Sequence, residues 1–150
     1  MKPRLLLMLF LAMPVPVGTA DEPAPAFVYL QASDMDFQPL PDLPGLAVSP
    51  VLGNPQEPGT YVIRVRFGPG VMSPPHFHDQ DRLVTVISGV WAFGMDGTGR
   101  CEGTVPLMAG AFAMHPKGAV HYDGSCNGEE VVVQIIGTGP VRTTWLETGE

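Results

Sequence analysis

From Tyr61 to Phe67 the chain alternates: Tyr61, Ile63, Val65 and Phe67 fall on one side, Val62, Arg64 and Arg66 on the other. A period of two is the pattern of a β-strand with one face buried. Short runs of strand character recur at 83–87, 90–95, 105–108, 111–115, 119–122, 130–136 and 142–146, and 26–31 adds a further short strand. Ser88-Gly89 between two of these runs is a hairpin signal. Residues 38–50 hold Pro39, Pro41, Pro44 and Pro50, which excludes regular helix there. After Ala20 no window of a dozen residues has helical periodicity. Regularly spaced short strands with Gly and Pro turns predict an all-β single domain, a sandwich or jelly-roll barrel of six to eight strands.

The first twenty residues follow a different pattern. Lys2 and Arg4 precede an apolar run over 5–13, and Gly18-Thr19-Ala20 is a small-residue cleavage site. That layout predicts a secretory signal peptide over 1–20, and hence a periplasmic or secreted protein. The apolar run is too short to span a bilayer well. A Pro/Ala-rich leader and proline-rich segment over 21–45 then leads into a barrel over 46–147. Cleavage leaves 130 residues, enough for one core, and moves the net charge from −7 to −9, because Lys2 and Arg4 leave and no acid does. Such acidity argues against nucleic acid and against anionic membrane surfaces as partners. It leaves a small-molecule ligand as the expected partner and a homodimer open. Cys101 and Cys126 are the two cysteines. In an oxidising compartment they favour a disulfide over a Cys-Cys-His metal site, which usually brings a short Cys-x2–4-Cys spacing.

Histidines carry the candidate chemistry. His76 and His78 are two apart, so in a strand both imidazoles point to the same side. His121 lies much further on, and a strand brought alongside would add it as a third. Imidazole is the commonest ligand for Zn, Fe, Cu, Ni and Mn centres, and three such ligands leave positions open for water or substrate.

The two runs Gly70-x5-His76-x-His78-x3-Arg82-x6-Gly89 and Gly110-x5-Pro116-x-Gly118-x2-His121 resemble the paired motifs of the cupin family. Leu52-Gly53-Asn54-Pro55 and Pro74-Pro75 ahead of His76 are similar to the lead-in of small bacterial single-domain cupins, and the likeness covers roughly residues 46–145. The resemblance implies a double-stranded β-helix and one divalent metal ion, Fe, Mn or Zn, held by His76, His78 and His121. It departs from the family at Arg82, where a glutamate usually supplies the fourth ligand, and at Ser125, where Asn is common. A guanidinium cannot ligate a metal. Arg82 therefore has three readings: turned out of the barrel, turned in to hold an anionic substrate, or seated in the metal's place. Inward Arg82 and a bound metal exclude each other unless an acid intervenes, with Asp79 and Asp81 the nearest in sequence. Asp81 becomes a ligand only if a β-bulge turns it inward.

Around the metal, Trp91, Phe93 and Met95 share a face and are expected inside the barrel, with Phe77, Met114, Tyr122 and Trp145 as further candidates for a cavity wall. Gln134, polar within an apolar run, bonds a ligand or substrate if it faces inward. His115, just before Pro116, reads as a packing residue beside the site rather than a ligand. Neither Ser88 nor Cys101 has a base near it in the pattern, so nucleophilic catalysis is not indicated. The resemblance leaves the activity open. An Fe centre suits dioxygenase-type chemistry on an anionic substrate, and Zn or Mn suits other small-molecule chemistry. Non-catalytic ligand-binding or sensing domains, like the cupin lobe of certain anti-sigma factors, and degenerate barrels without metal share the same motifs.

Overall fold

The computed structural model describes residues 27–146; the signal-peptide reading of residues 1–20 lies outside the described residues. Eleven strands follow one 3-10 turn at Ala32–Asp34: β1 (Gln38–Pro39), β2 (Leu46–Leu52), β3 (Gly59–Phe67), β4 (His76–His78), β5 (Arg82–Ser88), β6 (Val90–Gly94), β7 (Val105–Met108), β8 (Phe112–His115), β9 (Tyr122–Gly124), β10 (Val131–Gly139) and β11 (Thr143–Trp145). Six of them form one sheet in the order β1-β2-β3-β10-β5-β8. A three-stranded sheet β7-β6-β9 and the pair β11-β4 complete a jelly-roll arrangement in which every pairing is antiparallel.

The alternation read from the sequence sets the core. Tyr61, Ile63, Val65 and Phe67 of β3 are buried with Val131, Val133 and Ile135 of β10 and Val84 and Val86 of β5. The β3–β10 register runs unbroken from Gly59↔Gly139 to Phe67↔Val131, so these apolar faces stack pair by pair. Trp91 on β6 closes the far side, fully buried. Gly137 is the residue that lets Tyr61 sit flat against β10, since a Cβ there would run into the phenol ring. Two expectations fail here. Residues 27–31 form no strand; Phe27 and Tyr29 are almost wholly exposed, so the segment buries no apolar face that would hold it extended against a sheet. The run at 119–122 enters its strand only at Tyr122, and His121 instead makes an isolated bridge to His76.

Cys101, in the β6–β7 loop, and Cys126, just past β9, form a disulfide with Cα atoms 5.7 Å apart. The bridge closes a loop of 25 residues that contains the second histidine motif. On the chain-entropy account such a loop contributes about 3.5 kcal/mol. Replacing both cysteines with serine should lower unfolding free energy by about that amount in a denaturant titration, with the m-value showing whether the unfolded chain expands.

Candidate metal centre and ligand cavity

The two histidine motifs meet through the backbone. His76 N donates to His121 O at 2.8 Å and His121 N donates to His76 O at 2.9 Å. Behind them Gly118 N donates to His78 O, which ties the Pro116-x-Gly118 turn to β4; Gly118 takes a φ of 76° there, open to glycine without strain. On its other edge β4 pairs with β11, His78 opposite Thr143 and His76 opposite Trp145. Short strands held on both sides leave the imidazoles little freedom.

A ring nitrogen from each of His76, His78 and His121 lies within 4.8 Å of the others, and all three residues are buried. Their tautomers follow from the partners. His76 Nδ1 is 2.8 Å from Pro74 O and His121 Nδ1 is 2.9 Å from Ala119 O; carbonyls only accept, so both Nδ1 atoms carry the proton. Each Nε2 is then a free lone pair, and that of His121 is buried with no hydrogen-bond partner. His78 differs: its Nδ1 lies 3.1 Å from the Thr143 hydroxyl and 3.3 Å from Arg82 Nη1, and its Nε2 accepts from Arg82 Nη1 at 2.7 Å. Three ring nitrogens gathered within 4.8 Å, two of them with the opposite Nδ1–H held on a carbonyl, are the donor set a divalent ion requires. The residues fit a metal, and at His78 the guanidinium holds the lone pair the metal would take.

Arg82 therefore faces inward, in phase with Val84 and Val86 on β5. Its Nε is buried with no hydrogen bond of full geometry, and the buried Tyr61 hydroxyl lies against the guanidinium in the same state. Among the described residues no carboxylate comes within salt-bridge distance of it. The acid facing the cluster is Asp123, two residues beyond His121 and 5% exposed, with Oδ1 accepting from Ser73 Oγ at 2.8 Å. Asp123 raises the pKa of His76, His121 and Arg82 against a larger downward push from burial. It was not among the residues singled out from the sequence, although its same-side spacing from His121 was readable.

Asp81 is exposed and points away, its Oδ1 accepting from Lys117 N at 2.7 Å; no bulge turns it inward. Gln134 lies on the opposite face of β10 from Val133 and Ile135, where its Oε1 accepts from Arg64 Nε. Met95 is 64% exposed: β6 ends at Gly94, which is packed under the Tyr122 ring, so Met95 opens the next loop. Met114 faces outward too, and the Tyr122 hydroxyl donates to Asp96 away from the cluster. Trp91 and Phe93 do reach the interior, but they stack on His115. His115 lies outside the three-nitrogen group, with its ring centroid 3.8 Å from that of His121 and both nitrogens buried and unpaired. Trp145 packs on His76.

Burial lowers the pKa of all four histidines, that of His121 to about 4. In the unfolded chain a histidine titrates near 6.5. Below that pH the unfolded state binds more protons than the folded one, so stability falls as pH falls. In metal-free protein the loss should begin near pH 6.5 and deepen as pH falls, amounting to roughly 2 kcal/mol by pH 5 from His121 alone, visible as a falling Tm between pH 7 and 5.

A cavity of about 610 Å³ opens onto the cluster, lined by His76, His78, Arg82 and Asp123 at one end and by Leu40, Leu43, Val48 and Val65 along its wall. A jelly-roll barrel that brings a His-x-His strand and a distal histidine to one buried point beside such a cavity is a cupin. The chain belongs to the ChrR cupin-like domain family, which it matches over residues 25–142. No curated protein matches it by sequence. Among solved structures it is similar to the polyketide cyclase RemF from Streptomyces resistomycificus (18% identity, TM-score 0.66, 81% of this chain and 88% of that one). It is also similar to a sugar phosphate isomerase of the cupin superfamily from Silicibacter pomeroyi (19%, TM-score 0.62, 80% and 82%). KdgF from Halomonas sp. is similar at 18% identity, TM-score 0.59, over 76% and 96%. These likenesses are ones of fold.

Proposed function

We propose that the protein is an exported cupin that binds a small organic molecule beside a divalent metal held by His76, His78 and His121. The observation that carries this reading is the convergence of one ring nitrogen from each of the three buried histidines to within 4.8 Å, with the Nδ1–H groups of His76 and His121 held on backbone carbonyls. Fe, Mn and Zn all suit three imidazoles. Bound there, such an ion supplies Lewis acidity at the end of the cavity, and with Fe it supplies dioxygenase-type chemistry. The chain's own residues do the rest. The apolar wall excludes water, Asp123 offsets positive charge, and Arg82 yields His78 Nε2 to the ion. Cyclase and isomerase names among the fold neighbours support small-molecule chemistry in a barrel of this shape. The apolar run over 5–13 with its cleavage site supports export, as does the Cys101–Cys126 bridge, since disulfides persist in oxidising compartments.

A second reading has its own observation. Arg82 Nη1 stands 2.7 Å from His78 Nε2, which suits a metal-free barrel that binds or senses its ligand with the guanidinium in the metal's place. Metal analysis of untagged protein purified from the periplasm separates the two. About one equivalent of Fe, Mn or Zn supports the metal centre; no metal in any preparation supports the second reading.

A further inference from the structure

Arg82 is a half-buried cation, turned into the cavity, with one edge of its guanidinium free. Nη1 is spent on His78, while Nε, on the other edge of the guanidinium, is buried and has no partner. Leaving a charged donor buried and unpaired is costly, and proteins keep such a group where something else completes it. The Tyr61 hydroxyl lies against the guanidinium, is itself buried, and makes no hydrogen bond of full geometry, so its proton is also open to a ligand. Both residues line the cavity, whose wall beyond them is aliphatic: Leu40, Leu43, Leu46 and Val48. Asp123 does not reach salt-bridge distance, and Asp79 is turned to the backbone, its Oδ1 accepting from Arg142 N at 2.7 Å.

We infer that Arg82 and Tyr61 form an anion site that takes the carboxylate of a ligand whose apolar body fills the Leu40–Leu43–Leu46–Val48 side of the cavity. The Nε/Nη2 edge of a guanidinium presents two parallel N–H groups at the spacing of carboxylate oxygens, and the Tyr61 hydroxyl adds a third donor. Docking on that edge leaves the Nη1–His78 contact in place, so the anion site does not need a metal. The cavity volume falls in the range of small-molecule sites, and a few polar groups at one end of an apolar pocket are their usual composition. The inference rests on the ligand-binding part of the proposed function and not on its metal.

The test uses chelator-treated mature protein and calorimetric or NMR titration with four probes: hexanoate, hexanamide, benzoate and acetate. Hexanoate or benzoate should bind. Hexanamide, equal in shape and uncharged, should bind at least tenfold more weakly, and so should acetate, which lacks the apolar body. Arg82→Gln should cost hexanoate at least tenfold and leave hexanamide unchanged, while Tyr61→Phe should cost severalfold. Equal affinity for hexanoate and hexanamide in the native protein overturns the inference without any variant, as does binding of neither carboxylate. Undiminished hexanoate binding by folded Arg82→Gln overturns it too. Zn2+ titration of the same preparations reads the metal centre separately, so failure of one reading is distinguishable from failure of the other.

Discussion

Arg82→Gln should raise the affinity of the three-histidine cluster for Zn2+ by roughly 10- to 150-fold, read by competition with a chelator. That range comes from the hydrogen bond that the metal must break. Arg82 Nη1 donates to His78 Nε2, and a bond from a charged donor contributes roughly 1.5–3 kcal/mol. Repulsion acts in the same direction. Two like unit charges about 4 Å apart cost about 4 kcal/mol at an effective dielectric of about 20, and a divalent ion doubles that. Asp123, which faces the cluster, offsets part of this charge. Arg82→Glu should gain more than Arg82→Gln, because it also places a carboxylate on the inward face of β5. If the glutamine variant binds Zn2+ no better than the native protein, Arg82 does not compete with the metal for His78.

Much of this was legible in the sequence, because a period of two is strict where one face of a strand is buried. Tyr61 to Phe67 kept its phase through the whole β3–β10 register, and His76 and His78 fell on one side as their spacing requires. Arg82 was equally fixed by phase with Val84 and Val86; the competing expectation, that a charged residue turns outward, is what left it open. Gln134 illustrates the opposite case. The run from Val131 to Ile136 is apolar on both faces, so alternation could not say which face held Gln134, and tertiary pairing with Arg64 decided it. Met95 continued the pattern of Trp91 and Phe93 in sequence, but the strand stopped one residue earlier, where Gly94 makes room for the Tyr122 ring. The closeness of His115 to His121 depended on how the Pro116-x-Gly118 turn folds back, which spacing does not encode.

His78→Ala, His76→Ala and His121→Ala should each lower Zn2+ affinity by more than 100-fold, since loss of a group that merely orients a ligand already costs about 10- to 100-fold. The three need not be equal. His78 already spends its Nε2 on Arg82, so native binding through it starts at a disadvantage that the alanine variant no longer bears. His121 Nε2 has no partner at all and loses nothing to competition, so its removal should cost most. His115→Ala is the control. Its ring stacks on Phe93 and lies 3.8 Å from the His121 ring, so the variant should lose packing stability and shift metal affinity only a fewfold. The readouts separate the roles: chelator competition for affinity, and thermal melts of metal-free protein for packing. Alanine at His115 matching the loss at His121 would add a fourth nitrogen to the centre. It would also mean that the two unpaired nitrogens of His115 mark a ligand rather than a wall.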